Sequence, residues 1–398
     1  MIPITLCFLA IVRLCTATVV VELYQYNSSN PTKINNVEDG SKLYIAASDK
    51  AVILSRITLS SNGITTTLQQ ILNNFDDDGY STGLPVNSDI TIATTNTQDV
   101  TENLSGILFI SNPAMAKDPN FLVYVVSDQV KTIDRSANNE TTLVLLNKRV
   151  EPDQNYKPFY NSRLDSFVQP ATSTFFMYRG VPGDGYSDPT YQETTKRMIF
   201  RNPVRMIPSV KTPDTIFINN IEPIQFSLRS FYVRALGSIK FNISQEWNDM
   251  TTYQTTSETT TGYTMSQRVS DNATINFNNT PNHDGISGFM ITTSDMSSNM
   301  TVTSCNGIDC KVEVFSKDMP VYADFFQNYR NDTVMYMDHA KTDFGFYYLQ
   351  YYRIEGNVSS PTTVTSTTVQ TPETTTKSSL QLLNFTFILI VFFEFLLV

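Results

Sequence analysis

The sequence has very few of the side chains on which most catalytic and metal sites depend. Its 398 residues include only two histidines, His283 and His339, with four cysteines and one tryptophan. Scarcity therefore argues strongly against a histidine-based catalytic triad or a histidine-rich metal site. The motifs G-x-S-x-G, H-E-x-x-H, G-x-G-x-x-G and the P-loop are missing as well. We expect no enzyme and no cofactor, with a glycan hydrolase built on two carboxylates as the alternative.

Positive charge is also scarce. The 28 Lys and Arg residues face 38 Asp and Glu residues, and the formal net charge is -10 at pH 7. Binding to DNA or RNA requires clustered positive charge, so nucleic acid is not an expected partner. Charged residues make up only 17% of the chain and hydrophobic residues 41%. This composition is too apolar for a disordered chain and supports two or three domains with real cores.

The amino terminus predicts a secretory signal peptide over residues 1–17. A short apolar run at residues 4–12 is followed by Cys15 and Ala17, two small residues with the spacing of a cleavage site. The run is too short to span a bilayer. A buried strand at the amino terminus is the alternative, because Arg13 is unusual in such a signal.

The other end of the chain predicts a stalk and a lipid anchor. Residues 359–379 contain nine Thr and five Ser, so we expect a disordered Thr/Ser/Pro-rich stalk over residues 357–379. Residues 380–398 form an apolar tail without a basic residue after it. A polar spacer followed by such a tail is typical of a tail replaced by a GPI lipid, here at Ser378. A retained membrane helix is the alternative.

Removal of the signal peptide leaves two cysteines, Cys305 and Cys310. In an oxidising compartment we expect them to form a disulfide. The dipeptide Asn306-Gly307 between them is a common hairpin turn, so the bond pins one turn and does not staple the whole fold. A zinc site would lack two ligands.

Sequons for N-linked glycans are frequent outside the apolar tail. Chance alone gives about seven sequons in a chain this rich in Asn, Ser and Thr, so their number does not prove secretion. Together with the signal peptide they become predicted glycan sites, each facing solvent if used. The nine are Asn27, Asn103, Asn139, Asn242, Asn272, Asn278, Asn299, Asn331 and Asn357.

The body of the chain predicts an all-β fold of tandem jelly-roll-like β-sandwiches. Short runs rich in Ile, Val, Phe, Tyr and Thr alternate with turn residues from residue 42 to residue 353. Helical patterns are limited to residues 66–75 and 322–329. We expect a first sandwich at residues 18–150 and a second β region at residues 151–356. The Thr-rich stretch 249–261 either divides the second region or forms a long edge hairpin.

Three segments are candidate sites. The acidic residues 74–79 resemble half of an EF-hand loop, but Pro85 occupies the position of the last ligand, which favours a solvated loop. A looser calcium site built from several loops stays open. The second segment is the loop at residues 180–189, which carries Asp184, Tyr186 and Asp188. Its two aspartates fit calcium and its tyrosine fits a sugar ring, while a plain strand connection is the alternative.

The third segment is the dense basic patch of the chain, which includes Arg197, Arg201 and Arg205. Such a patch fits anionic lipid or bacterial surface polymers. The alternative is a solvated face whose charges are balanced by acidic neighbours such as Glu193.

Several short stretches resemble CUB domains and the nematode CUB-like family of secreted or GPI-anchored proteins. An aromatic strand, a glycine turn, a loop and two further strands resemble the later half of a CUB domain, at residues 174–180, 187–189, 207–209 and 215–218. Residues 105–113 and 302–310 are similar to segments of the nematode proteins. CUB domains usually carry two disulfides, whereas this body has one cysteine pair. The family's calcium ligands have no matching positions, so calcium binding is not carried over.

The resemblance implies jelly-roll-like sandwiches at the cell surface, in lipid rafts, with a role in innate defence or stress responses. Together with the residues themselves it predicts a GPI-anchored glycoprotein on the extracellular face of the plasma membrane. We expect recognition or adhesion, with microbial or matrix glycans or proteins as partners. The alternatives are an ectoenzyme and a passive structural coat protein.

Overall fold

The computed structural model is almost entirely β-structure, which confirms the predicted all-β class. It describes residues 19–23, 31–47, 51–94, 106–150, 160–183, 197–206, 214–248, 250–266, 272–278, 284–294, 296, 298–316, 322–330, 333–339 and 346–356. The signal peptide, the stalk, the apolar tail and Ser378 lie outside these residues. Among the described residues no helix is long and apolar enough to cross a membrane.

The first sandwich lies in residues 19–111. Its strands are β1 (Val19–Glu22), β2 (Thr32–Ile34), β3 (Ser41–Ala47), β4 (Ile57–Ser61), β5 (Ile64–Thr67), β6 (Leu84–Val86), β7 (Ile90–Thr94) and β8 (Gly106–Ser111). Sheet β1-β8-β3-β6 faces sheet β2-β7-β4-β5. Alternate residues of β4 and β7 enter the core, and Leu59 and Ile92 meet Leu43 and Leu108 there.

Three short helices accompany the first sandwich: α1 (Ala51–Leu54), α2 (Leu68–Leu72) and α3 (Pro113–Lys117). Helix α2 confirms the helical pattern predicted at residues 66–75, although it is shorter. Thr67 and Gln70 form a capping box that begins the helix, and Asn73 ends it. The acidic residues that follow belong to a turn.

The second sandwich combines strands from both sides of residues 151–159. Its strands are β9 (Phe121–Val126), β10 (Lys131–Arg135), β11 (Thr141–Asn147), β12 (Ser162–Val168), β13 (Thr174–Arg179), β14 (Met198–Asn202), β15 (Val204–Met206), β16 (Asp214–Ile216), β17 (Ile224–Phe226), β18 (Ser230–Leu236) and β19 (Ile239–Ser244). Sheet β14-β13-β18-β11-β9 faces sheet β10-β19-β12-β17, while β15 and β16 form a separate ribbon. The expected boundary near residue 151 therefore falls between strands of one sandwich, since β11 pairs with β18.

The first two sandwiches share a core. Tyr44 and Phe109 on the outer face of the first sandwich join Val123, Val144 and Tyr232 of the second. Strand β8 is consequently buried on both faces. This explains why its sequence is a continuous apolar run without alternation.

The third sandwich is formed by residues 252–355. Its strands are β20 (Thr252–Gln254), β21 (Thr260–Met265), β22 (Ala273–Asn276), β23 (Asp284–Ser294), β24 (Met300–Asn306), β25 (Asp309–Phe315), β26 (Tyr322–Arg330), β27 (Thr333–His339) and β28 (Phe346–Glu355). Sheet β21-β28-β23-β26 faces sheet β20-β22-β27-β24-β25. Phe289 and Ile291 of the four-stranded sheet meet Val302 and Met335 of the five-stranded sheet in the core.

The helical pattern predicted at residues 322–329 is wrong, because these residues lie in β26. The strand pairs antiparallel with β23 from Thr292 opposite Tyr322 to Asp284 opposite Arg330. This long ladder satisfies the backbone hydrogen bonds that a helix would have made locally. Aromatic residues also suit a pleated surface, so the pairing overrides the local pattern.

Candidate functional site

The predicted ligand residues fall into two groups. Asp184, Tyr186 and Asp188 lie outside the described residues. The three arginines are described, and each has a defined surrounding within the fold.

Arg197 directly precedes β14, and its side chain reaches the end of β13. Its guanidinium donates hydrogen bonds to the carbonyl oxygens of Arg179, at 3.0 and 3.2 Å, and of Val181. It also lies 5.5 Å from the ring centroid of Tyr232. Arg197 thus closes the end of a strand through carbonyl and cation–π contacts.

Arg201 joins the second sandwich to the third. Its Nη2 donates to Oδ1 of Asp324 at 2.6 Å, and Nη1 donates to the Tyr322 hydroxyl at 2.9 Å. The side chains of Arg201 and Asp324 are only 8% and 6% exposed. Gln350 accepts a hydrogen bond from the Arg201 backbone N–H at 2.9 Å and donates one to its carbonyl at 2.7 Å. The result is a buried, charge-assisted junction between β14, β26 and β28.

Arg205 lies half-buried on β15 and acts on the same junction. Burial raises the pKa of Tyr322 to about 12, Asp324 also raises it, and the positive charges of Arg201 and Arg205 oppose these effects. Tyr322 is therefore a neutral hydroxyl at physiological pH. A neutral phenol and one paired carboxylate fit a structural link, and they do not form a pair of catalytic acids.

The acidic loop after α2 is held by local hydrogen bonds. Oδ1 of Asp76 accepts from the Tyr80 N–H at 2.8 Å, and the Asp78 carbonyl accepts from Nζ of Lys131 at 2.6 Å. The Gly79 N–H also donates to the Asp76 carbonyl at 3.0 Å, so the acidic residues form a backbone turn and not an EF-hand loop. Within the part of the chain that the structure describes, no group of His, Cys, Asp or Glu side chains is suited to a metal ion.

The predicted disulfide is confirmed and pins a tight hairpin. Cys305 and Cys310 face each other on β24 and β25, and the two-residue loop between the strands is Gly307-Ile308. Gly307 has a φ of +61°, which a glycine adopts without strain at the first position of such a loop. The side chain of Ile308 at the tip is 98% exposed.

An exposed apolar surface continues from this tip along the outer face of the third sandwich. We call it the hairpin surface and define it as Ile308, Val312, Val314 and Tyr336. Val312 and Val314 are 58% and 61% exposed. Val312 on β25 and Tyr336 on β27 lie on either side of Thr303 of β24, and each is paired with it. Clustered exposed apolar side chains often mark interaction sites, whereas scattered ones do not.

The register of β25 explains why its valines face solvent. Phe315 lies opposite Met300 and is buried, so Lys311 and Glu313 point to the same inner side and the valines point outward. Lys311 and Glu313 line a half-open cavity of about 60 Å³ together with Ser287 and Phe325. An apolar cavity of about 150 Å³ holds benzene, so this cavity is too small for a sugar ring.

Several predicted glycan sites lie on the surface. Four of them are exposed: Asn139, Asn272, Asn278 and Asn299. Asn242 is half-buried in β19, and its Oδ1 accepts a hydrogen bond from Thr132 at 2.8 Å. The remaining four lie outside the described residues: Asn27, Asn103, Asn331 and Asn357.

The sequence matches the family described as "Transmembrane glycoprotein" over residues 38–393. The chain belongs to this family. The match covers the second and third sandwiches and the first from β3 onward, and it supports a surface glycoprotein. It also favours a structural or envelope protein over an enzyme. It gives no support to the CUB-like resemblance. No curated protein matches the sequence significantly.

The sequence interpretation missed the hairpin surface, although a signal for it exists. A disulfide between Cys305 and Cys310 places these two residues opposite each other. Counting alternate positions from Cys310 then puts Val312 and Val314 on the face of the disulfide and Phe315 on the other face. The usual assumption that valines point inward and charges outward gives the opposite orientation.

Proposed function

We propose that this protein is a membrane-anchored glycoprotein that acts in adhesion or recognition through the hairpin surface. The observation that carries the proposal is a disulfide-pinned hairpin whose tip residue, Ile308, is 98% exposed. Leaving apolar area in water is unfavourable by about 25 cal/mol per Å², so burying it against a partner is favourable. A pinned hairpin also loses little conformational entropy on binding, because the disulfide has already restricted it.

Three finer parts of the proposal concern the anchor and the partner. We propose that residues 357–379 form the stalk and that a GPI lipid at Ser378 replaces the tail. The family's description as transmembrane favours the retained helix instead, and release by a phosphatidylinositol-specific phospholipase distinguishes the two. The proposed partners are microbial or matrix glycans or proteins. A raft location and a role in defence rest on the CUB-like resemblance alone.

The test is a binding screen with a multivalent soluble form of residues 18–357, which contains all three sandwiches. The probes are microbial cells, immobilised microbial glycans and extracellular matrix proteins, each with and without calcium. We expect at least one probe to bind, and Ile308→Asp to weaken that binding by about tenfold or more. The control is Ile64→Asp, because Ile64 is an isoleucine on the first sandwich, 57% exposed, that lies outside the hairpin surface.

Binding that is unaffected by Ile308→Asp would contradict the hairpin surface as the contact site. A folded protein that binds none of the probes would favour the passive coat protein. Retention of the Cys305–Cys310 disulfide and an unchanged circular dichroism spectrum show that each variant is folded.

A further inference from the structure

Strand β25 is the edge of its sheet and has an open side. It pairs with β24 on one side, and none of the described strands pairs with the other. It is seven residues long and contains neither proline nor a register shift. A regular exposed edge of this kind is a template for pairing with another strand.

The hairpin geometry determines which backbone groups face the open side. In a hairpin with a two-residue loop, the closing pair, here Asn306 and Asp309, is hydrogen-bonded, and the pairs alternate from there. Lys311 and Glu313 therefore direct their N–H and C=O groups to β24. Val312 directs its backbone N–H and C=O groups to the open edge. There they can form hydrogen bonds with the backbone of a further strand.

We propose that β25 pairs antiparallel with β25 of a second copy of this chain, with the two-fold axis at Val312. The charges on either side of Val312 carry this inference. In this register Lys311 lies opposite Glu313 of the second copy, and Glu313 lies opposite its Lys311. Both of these Lys311–Glu313 pairs are non-hydrogen-bonded pairs, the type in which opposite side chains come closest.

The same charges exclude the neighbouring registers. Charges that point inward on an edge strand normally oppose pairing, because the added strand would bury them without partners. A slip of two residues in one direction places Lys311 opposite Lys311, and a slip in the other places Glu313 opposite Glu313. Of these three registers only the one centred on Val312 matches opposite charges, and it does so twice, so the charges favour this register over its two neighbours.

The dimer joins two five-stranded sheets into one continuous sheet with both hairpin surfaces on the same face. Two hairpin surfaces that each bind a partner weakly then bind with the avidity of linked sites. The inference does not depend on the proposed adhesive function, because it follows from the edge, the register and the charges alone.

The test uses the full chain, expressed in secretory cells in two versions with different epitope tags. Capture of one tag is expected to recover the other. Lys311→Glu alone and Glu313→Lys alone each create two like-charged pairs in their homodimers, and each is expected to reduce the recovered fraction by about tenfold or more. Co-expression of these two variants restores both opposite pairs, and we expect recovery within about twofold of the unaltered chain.

The mixed experiment also separates loss of pairing from misfolding, since two misfolded variants would not rescue each other. The double variant Lys311→Glu/Glu313→Lys is likewise expected to pair with itself. A matched control is Asp134→Lys, a charge reversal on β10, which is the edge strand of another sheet. It should leave recovery unchanged.

Two results would overturn the proposal. The first is that the unaltered chain is monomeric by light scattering after detergent extraction and that capture of one tag does not recover the other. This result would show that Lys311 and Glu313 block the edge. The other is single variants that pair as well as the unaltered chain.

Discussion

Removal of the Asp324 carboxylate is expected to destabilise the junction between the second and third sandwiches. In an Asp324→Ala variant, the guanidinium of Arg201 keeps its contact with Tyr322 but loses its only described acidic partner, at 2.6 Å. Both side chains of the pair are more than nine-tenths buried, so water cannot replace the lost carboxylate. Stranding one charge of a buried pair costs about 3–5 kcal/mol.

The pair Asp134–Lys240 provides the matched control. Its N–O distance is 2.9 Å, but its side chains are 59% and 49% exposed. Asp134→Ala is therefore expected to cost about 1 kcal/mol or less. Because a protein of three sandwiches need not unfold in one step, the measurement is hydrogen exchange of the β14 and β26 amides, which reports the local free energy of opening.

A second substitution tests the cause of the loss. Adding Arg201→Met to Asp324→Ala removes the stranded charge, so part of the lost free energy should return. The reasoning would be refuted if Asp324→Ala cost no more than Asp134→Ala. It would also be refuted if the two substitutions at the junction were simply additive.

Two further predictions concern glycosylation and pH. Asn139→Gln should remove one glycan, which appears as a mobility shift that glycosidase treatment abolishes. Asn242→Gln should cause no shift, because Asn242 is half-buried within β19. A shift with Asn242→Gln would contradict this prediction. Folding raises the pKa of Tyr322 from 10.0 to about 12, so the unfolded chain ionises first as the pH rises. Stability contributed by the neutral phenol is complete below pH 10 and is lost toward pH 12. Tyr322→Phe should flatten the fall of the denaturation midpoint over this range, and an unchanged slope would count against the assignment.

The strands of the hairpin were predictable in position but not in orientation. The apolar runs and the Asn306-Gly307 dipeptide place both strands within two residues of β24 and β25, although the loop itself is Gly307-Ile308, one residue later than predicted. Which face of β25 is buried depends on its register with Met300 and Val302, whose own burial is set by the opposite sheet. Local alternation alone does not contain that information.

The basic patch shows a second limit of local reasoning. Arg197, Arg201 and Arg205 are close in sequence, which suggested one charged surface. The structure gives Arg201 a partner 123 residues away, and Arg197 donates hydrogen bonds to the carbonyl of Arg179 at the end of the preceding strand. Charge counting along a chain cannot distinguish a solvated cluster from side chains that satisfy buried groups.

Composition and local pattern alone determined that this is an all-β protein with one hairpin disulfide, because strand propensity and cysteine spacing act over a few residues. They also pointed to a surface glycoprotein, which the family match supports. Only the tertiary structure decided that strands on both sides of residues 151–159 form one sandwich, that residues 322–330 are a strand, and that Val312 and Val314 face solvent. Each of these depends on pairing between distant segments, and the free energy of that pairing exceeds the local preferences of the chain.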